Sequence, residues 1–581
     1  MADKSPANAA TIAVLPLLLI WMAAVLPIYY PNMGGDGLAL PQNILAWGVM
    51  ALTTLIVTFT VCLGRIRLSL TPTARLLLLG IALLALPLLY TRPEWREDAL
   101  WRCAGLLGGW LFYVACLQLR VTARQRELLL FGLLFAVGIQ ALLAALQLFA
   151  PALAWVSPNG GRVYGVFQQP NVLGSFIATG LALALWLLLA PFSAPTRRRQ
   201  IPLLALLAAF SALLVLIQSR AAWLGAALAA ALLLWRFARQ RPAASRWAGG
   251  ALLLGAAIGL TVLFTGFGLD GRAGLLGREL SNSARLTMLH DVGAMILAKP
   301  LLGWGYGGFE YSFAHFRLQE MPWREVLEVA GHPHNEILLW WVEGGLTALA
   351  GIAIVLAAGV RLLKSAWQRD REQQNGARVG LFLVLLPMLI HTQLEYPFYL
   401  SAPHWLAFLL LLALLDGQTG EPRPLPFAKA LSLPVALAAL GVLVMAAFAW
   451  QGRMALTQSE RTMLANIDSI EQMPPPAAWI YRERKTFDEQ SHALLVYNQT
   501  RDDALLTGYR QWANAYLQHR IDANVYATLI MILRYQGIRH KPMLASGKPL
   551  FCLRGMRGSG RDNEVRAMPR RSHLRHFMSQ N

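Results

Sequence analysis

The chain has 581 residues, of which 56% are hydrophobic and only 14% charged, whereas an ordinary soluble domain carries about 45–50% apolar and about 25% charged residues. The formal net charge is +20. The last 48 residues hold eleven Lys/Arg against Asp562 and Glu564, and most other basic residues sit in short loops between apolar runs, so the charge speaks for membrane orientation rather than nucleic acid. A cytosolic enzyme, a collagen-like fibre and a disulfide-stapled secreted module are excluded.

Apolar runs lie at about 10–30, 44–64, 74–90, 100–118, 128–150, 172–192, 201–218, 220–236, 248–267, 335–360, 379–396, 402–416 and 431–450. Runs of this length cross about 30 Å of hydrocarbon as helices, which predicts thirteen spans. With a cytoplasmic N-terminus, the inside loops carry 21 Lys/Arg and the short outside loops five (Arg92, Arg96, Arg102, Arg162 and Arg220). The positive-inside rule then puts the N-terminus in and the C-terminus out. Only Lys4 precedes the first run and no small-residue cleavage site follows, so it is expected to be an uncleaved anchor. Cys103 and Cys116 fall about 20 Å apart on one predicted helix, too far for a bridge.

Two outside segments are long. Residues 268–334 form a loop before the tenth span, with mixed charge, aromatics and a Gly-rich centre. Residues 451–537 show helical periodicity, as in Ala504–Leu517, and predict a helical domain. Residues 538–581 are basic and aperiodic, either a disordered tail or an out-of-frame stretch. The expected fold is therefore an all-α polytopic membrane protein: a transmembrane domain over 1–450, a helical domain over 451–537 and a tail over 538–581.

None of the eleven histidines precedes His290, and His290, His315, His332, His334, His391 and His404 all map to the long loop or to outer ends of spans. Groups that exchange a proton near neutral pH are thus collected on one face, though any one of them is as readily an interfacial side chain. His334 stands out because it opens a span directly after Pro333, which disfavours helix before it; His332 is expected to matter much less. Arg220, in Gln218-Ser219-Arg220, is wedged between two spans and is either a snorkelling anchor or a working charge. Arg285 opens an amphipathic stretch of the loop and is either a surface charge or, with Arg220, a phosphate ligand, since the guanidinium fork matches phosphate oxygens. Arg162 is the other short-loop candidate. Gly303-Trp304-Gly305-Tyr306-Gly307-Gly308 has the letters of a dinucleotide fingerprint but no surrounding strand, and is expected to form a tight turn. No P-loop lysine motif or carboxylate cluster suited to zinc is present, so the chemistry needs a donor already activated.

His332-Pro333-His334-Asn335-Glu336, followed by Trp340-Trp341-Val342-Glu343-Gly344-Gly345, resembles the signature of the O-antigen ligase/polymerase superfamily, and most closely the PglL-type bacterial protein O-oligosaccharyltransferases, or pilin glycosylation ligases. Four further patches agree in order: Gly165-Val166-Phe167-Gln168-Gln169-Pro170-Asn171; Gln218-Ser219-Arg220; Arg285 leading to Pro300-Leu301-Leu302-Gly303; and His391-Thr392-Gln393-Leu394-Glu395-Tyr396-Pro397. The resemblance covers about 160–405, and the tail departs from it. It implies an inner-membrane glycosyltransferase with its active site on the periplasmic face and a periplasmic C-terminal domain. Such an enzyme moves an oligosaccharide from undecaprenyl pyrophosphate to Ser/Thr hydroxyls of a periplasmic, pilin-like protein, with no cofactor or metal and no nucleic-acid partner. His334 would be the general base, Arg220 and Arg285 would hold the pyrophosphate, and Gln169 and Tyr396 match positions linked to activity. An O-antigen ligase acting on lipid A core, an O-antigen polymerase and a lipid or polysaccharide transporter are the alternatives; the absence of an internal repeat or a charged path through the spans speaks against the last.

Overall fold

The computed structural model describes residues 8–157, 162–190, 196–266, 279–319 and 329–537. The aperiodic tail at 538–581, Lys4 and the stretches 267–278 and 320–328 of the long loop lie outside the described residues. The first nine expected spans correspond to α1 (Ala9–Ile20, continued to Val25), α2 (Pro41–Cys62), α3 (Pro72–Ala85), α4 (Arg96–Leu117), α5 (Ala123–Phe149), α6 (Pro170–Leu189), α7 (Arg197–Ile217), α8 (Arg220–Phe237) and α9 (Pro242–Thr265). The long loop contributes α10 (Glu279–Ala298) and α11 (Phe309–Gln319). Then follow α12 (Glu336–Glu372), α13 (Ala377–Val384), α14 (Leu386–Thr392), α15 (Pro397–Leu400), α16 (Ala402–Thr419) and α17 (Ala428–Arg461). The protein is an all-α polytopic membrane protein. Among the described residues ten helices are long and apolar enough to cross a membrane; the other three expected spans coincide with the shorter apolar helices Ala9–Val25 and Ala377–Thr392 and with α16.

Helix starts follow local chemistry. Proline occupies the first position of α2, α3, α6 and α9, where its missing N–H costs nothing. Side chains of Thr71, Gln169, Ser219, Asn335 and Ser401 each accept a backbone N–H three residues on, satisfying donors that the helix leaves open. Thr122 and Gln125 cap each other reciprocally, which starts α5 five residues before its apolar run.

The core is built around α6, whose residues from Val172 to Leu189 are all buried. Small residues let its neighbours close in: Gly174 faces Ser219 and Ala222 of α8, and Gly180 faces Val137 of α5. Gly225 of α8 in turn lies against Pro387 of α14. The starts of α8 and α14 are thereby held beside α6.

Three spans differ from the sequence reading. The tenth is not one straight helix: Gly345 sits at φ 63° and ψ −153°, breaking α12. The carbonyls of Val342 and Glu343 there accept the N–H groups of Trp304 (2.9 Å) and Gly305 (2.8 Å), so the Gly-rich loop replaces the helix's own partners. Gly303, Gly305 and Gly307 all have positive φ, the tight turn that the sequence suggests. The eleventh is divided at Pro387 into α13 and α14, and residues 393–396 leave the helix. The thirteenth runs eleven residues past its expected end at 450, to Arg461. Arg453 is buried there, donating to the Pro31 carbonyl at 2.8 Å and lying 4.7 Å over the Trp450 ring, contacts that a hydropathy reading does not register.

Beyond α17 come α18 (Asp468–Glu471), α19 (Pro475–Ile480), α20 (Arg482–Thr500), α21 (Asp503–Tyr516) and α22 (Ala523–Tyr535). Tyr497, Leu506, Tyr509, Ala513, Leu529 and Leu533 form a separate apolar core between the last three. Arg520 fastens this unit to the rest: its guanidinium meets Glu483 (2.8 Å), Asp98 at the start of α4 (3.1 Å) and Glu310 of α11 (3.7 Å).

Candidate active site

The segment leading into α12 is pinned at both ends. Asn335 caps the helix by accepting the Leu338 N–H at 2.9 Å, and its Nδ2 donates to the Gln393 carbonyl at 3.2 Å. Just before it, the buried His332 ring lies 4.4 Å from the Tyr396 ring and 6.0 Å from that of Tyr399. His332 Nε2 is 3.4 Å from Glu336 Oε2, while Glu336 Oε1 accepts from Tyr399 (2.6 Å) and Trp340 Nε1 (2.8 Å). His334 takes φ 55°, and its ring lies 5.7 Å from that of Tyr396. Its Nδ1 is buried and has no hydrogen-bond partner among the described residues. Burial, reinforced by the Arg285 guanidinium, holds the imidazole down to about pKa 4 against the opposing pull of Glu395. His334 is therefore neutral at pH 7.

Glu395 is the second centre. It is 4% exposed and gathers groups from three helices. Asn171 Nδ2 donates at 2.5 Å and Arg285 Nη2 at 3.0 Å to Oε1; His391 Nε2 lies 3.2 Å and Gln169 Nε2 3.5 Å from Oε2. Gln169 does two things with one amide, since its Oε1 also caps α6 by accepting the Val172 N–H at 2.7 Å. Because Gln169 and Asn171 bracket Pro170, the start of α6 presents both amides to this carboxylate.

The structure thus brings four of the five expected residues, His334, Arg285, Gln169 and Tyr396, around Glu395 and His332. Arg220 is the first residue of α8, exposed, and the preceding Ser219 packs on Gly174 one turn into α6, so it stands at the same end of the bundle. Arg162 Nη2 donates to the Ile217 carbonyl at 3.3 Å, at the end of α7. Of the other histidines, His404 is a buried pin between α16 and α6, bonded to the Val172 carbonyl (3.0 Å) and Ser401 (2.9 Å). His315 bonds the Tyr311 carbonyl (2.8 Å), and His290 is exposed beside Asp291.

Glu395, Asn171, His391, Glu336 and Tyr399 are participants that the sequence reading assigns no role. A signal for some was present: His332/Glu336 and His391/Glu395 share an i,i+4 spacing that places the partners on one side of a turn. A second fully buried carboxylate lies nearby. Glu343, beside the α12 break, pairs with Arg102 of α4 and accepts the Phe309 N–H at 3.0 Å. Arg102 lies 5.4 Å over Trp340 and 5.7 Å over Tyr399, which ties the pair to the Glu336 cluster. Among the described residues no group of three His, Cys, Asp or Glu side chains is placed to share a metal ion.

Three family models match the chain in succession: protein glycosylation ligase over 163–188, O-antigen ligase over 203–353, and virulence factor membrane-bound polymerase, C-terminal, over 379–541. Together they cover more than half of the chain and include all five expected site residues. No curated protein matches it. Membrane helices and these matches define a glycosyl-transferring membrane enzyme. The three matches together support a protein of the O-antigen ligase superfamily, of the PglL type.

Proposed function

We propose that the protein transfers an oligosaccharide from undecaprenyl pyrophosphate to Ser or Thr hydroxyls of a periplasmic, pilin-like protein. In this reading it lies in the bacterial inner membrane with thirteen spans, a cytoplasmic N-terminus and the site on the periplasmic face. The observation that carries it is the His334 ring, whose buried Nδ1 has no partner among the described residues, standing beside Arg285, Gln169 and Tyr396.

His334 takes the proton of the acceptor hydroxyl as its oxygen attacks C1 of the first sugar, an effect worth roughly 10²–10⁴ in rate. The C1–O bond to pyrophosphate breaks, and its electron pair leaves with the lipid pyrophosphate. Attack from the opposite face inverts the anomeric centre. Arg220 and Arg285 offset the charge that develops on the leaving group. Gln169 holds the start of α6 toward the site, and Tyr396 walls the histidines. With arginines in this role the reaction needs neither metal nor cofactor.

A protein acceptor is favoured over lipid A core by the C-terminal helices. The Ile521 N–H donates to Glu310 of α11 at 2.7 Å, so that unit stands against the helix that precedes the His332–His334 segment. The O-antigen ligase and polymerase matches keep a lipid-linked acceptor as the second reading. Purified protein given lipid-linked glycan and either a pilin-like protein or lipid A core separates the two. Glycosylated protein is expected; transfer to lipid A core alone contradicts the choice of acceptor.

A further inference from the structure

His332 and His334 are two residues apart, yet their nitrogens have different neighbours. The backbone N–H of His334 donates to His332 Nδ1 at 2.8 Å. That nitrogen must therefore present a lone pair, and the ring proton resides on Nε2, which faces Glu336 Oε2 at 3.4 Å. The carboxylate is itself fixed by Tyr399 and Trp340. Both nitrogens of His332 are thus committed to protein groups, and neither is left to receive a proton from a substrate.

What this ring holds is the backbone of its neighbour. His334 sits at φ 55°, a left-handed conformation that side chains other than glycine adopt only when the surroundings enforce it. Pro333 contributes no N–H, so the first donor after His332 is that of His334, and it is the one captured. The ring cannot swing away, because it is buried against Tyr396 and Tyr399.

We infer that His332 is a positioning residue: its Nδ1, oriented by Glu336, clamps the His334 N–H and so holds the His334 imidazole in its catalytic direction. This rests on the reading of His334 as general base, and it assigns His332 a task where the sequence alone suggests little. The clamp asks only for an acceptor at that point. An asparagine side chain commonly accepts the N–H two residues on, so Asn at 332 supplies the acceptor without supplying a titratable ring.

The test compares His332→Ala, His332→Asn and His334→Ala with wild type in purified, detergent-solubilised form, using a lipid-pyrophosphate-linked glycan and a pilin-like acceptor. His332→Ala is expected to lose about 10²-fold in kcat, the scale of a misdirected catalytic group, with donor KM within twofold of wild type. His332→Asn is expected to recover most of that loss. Wild-type kcat in His332→Ala shows the clamp to be dispensable, and a His332→Asn as inactive as His332→Ala shows that the ring itself reacts; either overturns the inference. A fully active His334→Ala instead removes the general-base reading on which it rests. Because the variants depend on folding, ¹⁵N-histidine spectra of the wild-type protein give a second measure. His332 is expected with Nε2 protonated and Nδ1 bare, and the opposite tautomer contradicts the clamp.

Discussion

Arg285 Nη2 donates to Glu395 Oε1 at 3.0 Å although 110 residues separate them in the chain. This pair joins the long loop to the turn after α14, and it places a guanidinium within electrostatic reach of His334. Glu395 also receives Asn171, His391 and Gln169, so it fixes the orientation of four side chains at once. Replacing Glu395 by Ala is expected to lower transfer by roughly 10²-fold, the scale on which small misplacements act. The loss is read in a transfer assay at saturating donor; activity within threefold of wild type contradicts this role.

The arginines are separable from the base. Arg285→Lys and Arg220→Lys keep the charge and lose the planar fork. Hydrogen bonds to charged groups contribute about 1.5–3 kcal/mol, so donor binding is expected to weaken tenfold or more in each. A photoactivatable lipid-linked glycan, crosslinked without acceptor, measures it. Full crosslinking and full turnover in both variants would make Arg220 a membrane anchor and confine Arg285 to its pairing with Glu395.

The pH dependence follows from the depressed pKa of His334. Burial and the Arg285 guanidinium lower it from 6.5 to about 4, so the imidazole is already deprotonated well below neutrality. The acid limb of kcat/KM, which reports the free enzyme, is expected near 4. The limb of kcat is expected higher, because bound pyrophosphate favours the imidazolium. For stability the sign is that of a group the fold keeps neutral: its contribution is complete above 6.5 and is lost as pH falls toward 4. A kcat/KM limb near 6.5 contradicts the account of the site's electrostatics.

Glu343 and Arg102 form a buried pair at the break in α12. Removing one partner of such a pair typically costs about 3–5 kcal/mol, while replacing both by apolar groups is often neutral. Thermal unfolding in detergent is expected to show Arg102→Met, which leaves the Glu343 carboxylate buried without its cation, well below wild type, and Arg102→Met/Glu343→Gln, which keeps an acceptor for the Phe309 N–H, restored toward it. Equal destabilisation by the single and double variants contradicts a role confined to pairing.

Much of this was legible in the sequence because hydropathy and family patches are local signals. All thirteen apolar runs coincide with helices, and His334, Arg285, Gln169 and Tyr396 do meet. The break at Gly345 was not legible, since its cause is a loop some forty residues earlier that takes over the carbonyls of Val342 and Glu343. Glu395 stands inside a sequence motif that gives no hint of its role, because its importance lies in partners drawn from Gln169, Asn171 and Arg285, distances that no spacing along the chain encodes. The end of α17 was underestimated for a similar reason: Arg453 reads as the polar close of a span until the Pro31 carbonyl and the Trp450 ring are placed beside it.

The membrane orientation is open to direct measurement. A reporter is best fused after Arg501, in the exposed turn between α20 and α21, where it disturbs no packed helix. A periplasm-active reporter is expected to work there and to be silent after Arg371. The reverse pattern overturns the proposed periplasmic face.

The central claim is that His334 removes the acceptor proton after the donor has bound. It is tested most directly by His334→Ala in purified form, with donor crosslinking and glycan transfer measured on the same sample. The account predicts crosslinking equal to wild type and transfer reduced by at least about 10²-fold, the lower range for a lost general base. Transfer at the wild-type rate would contradict it.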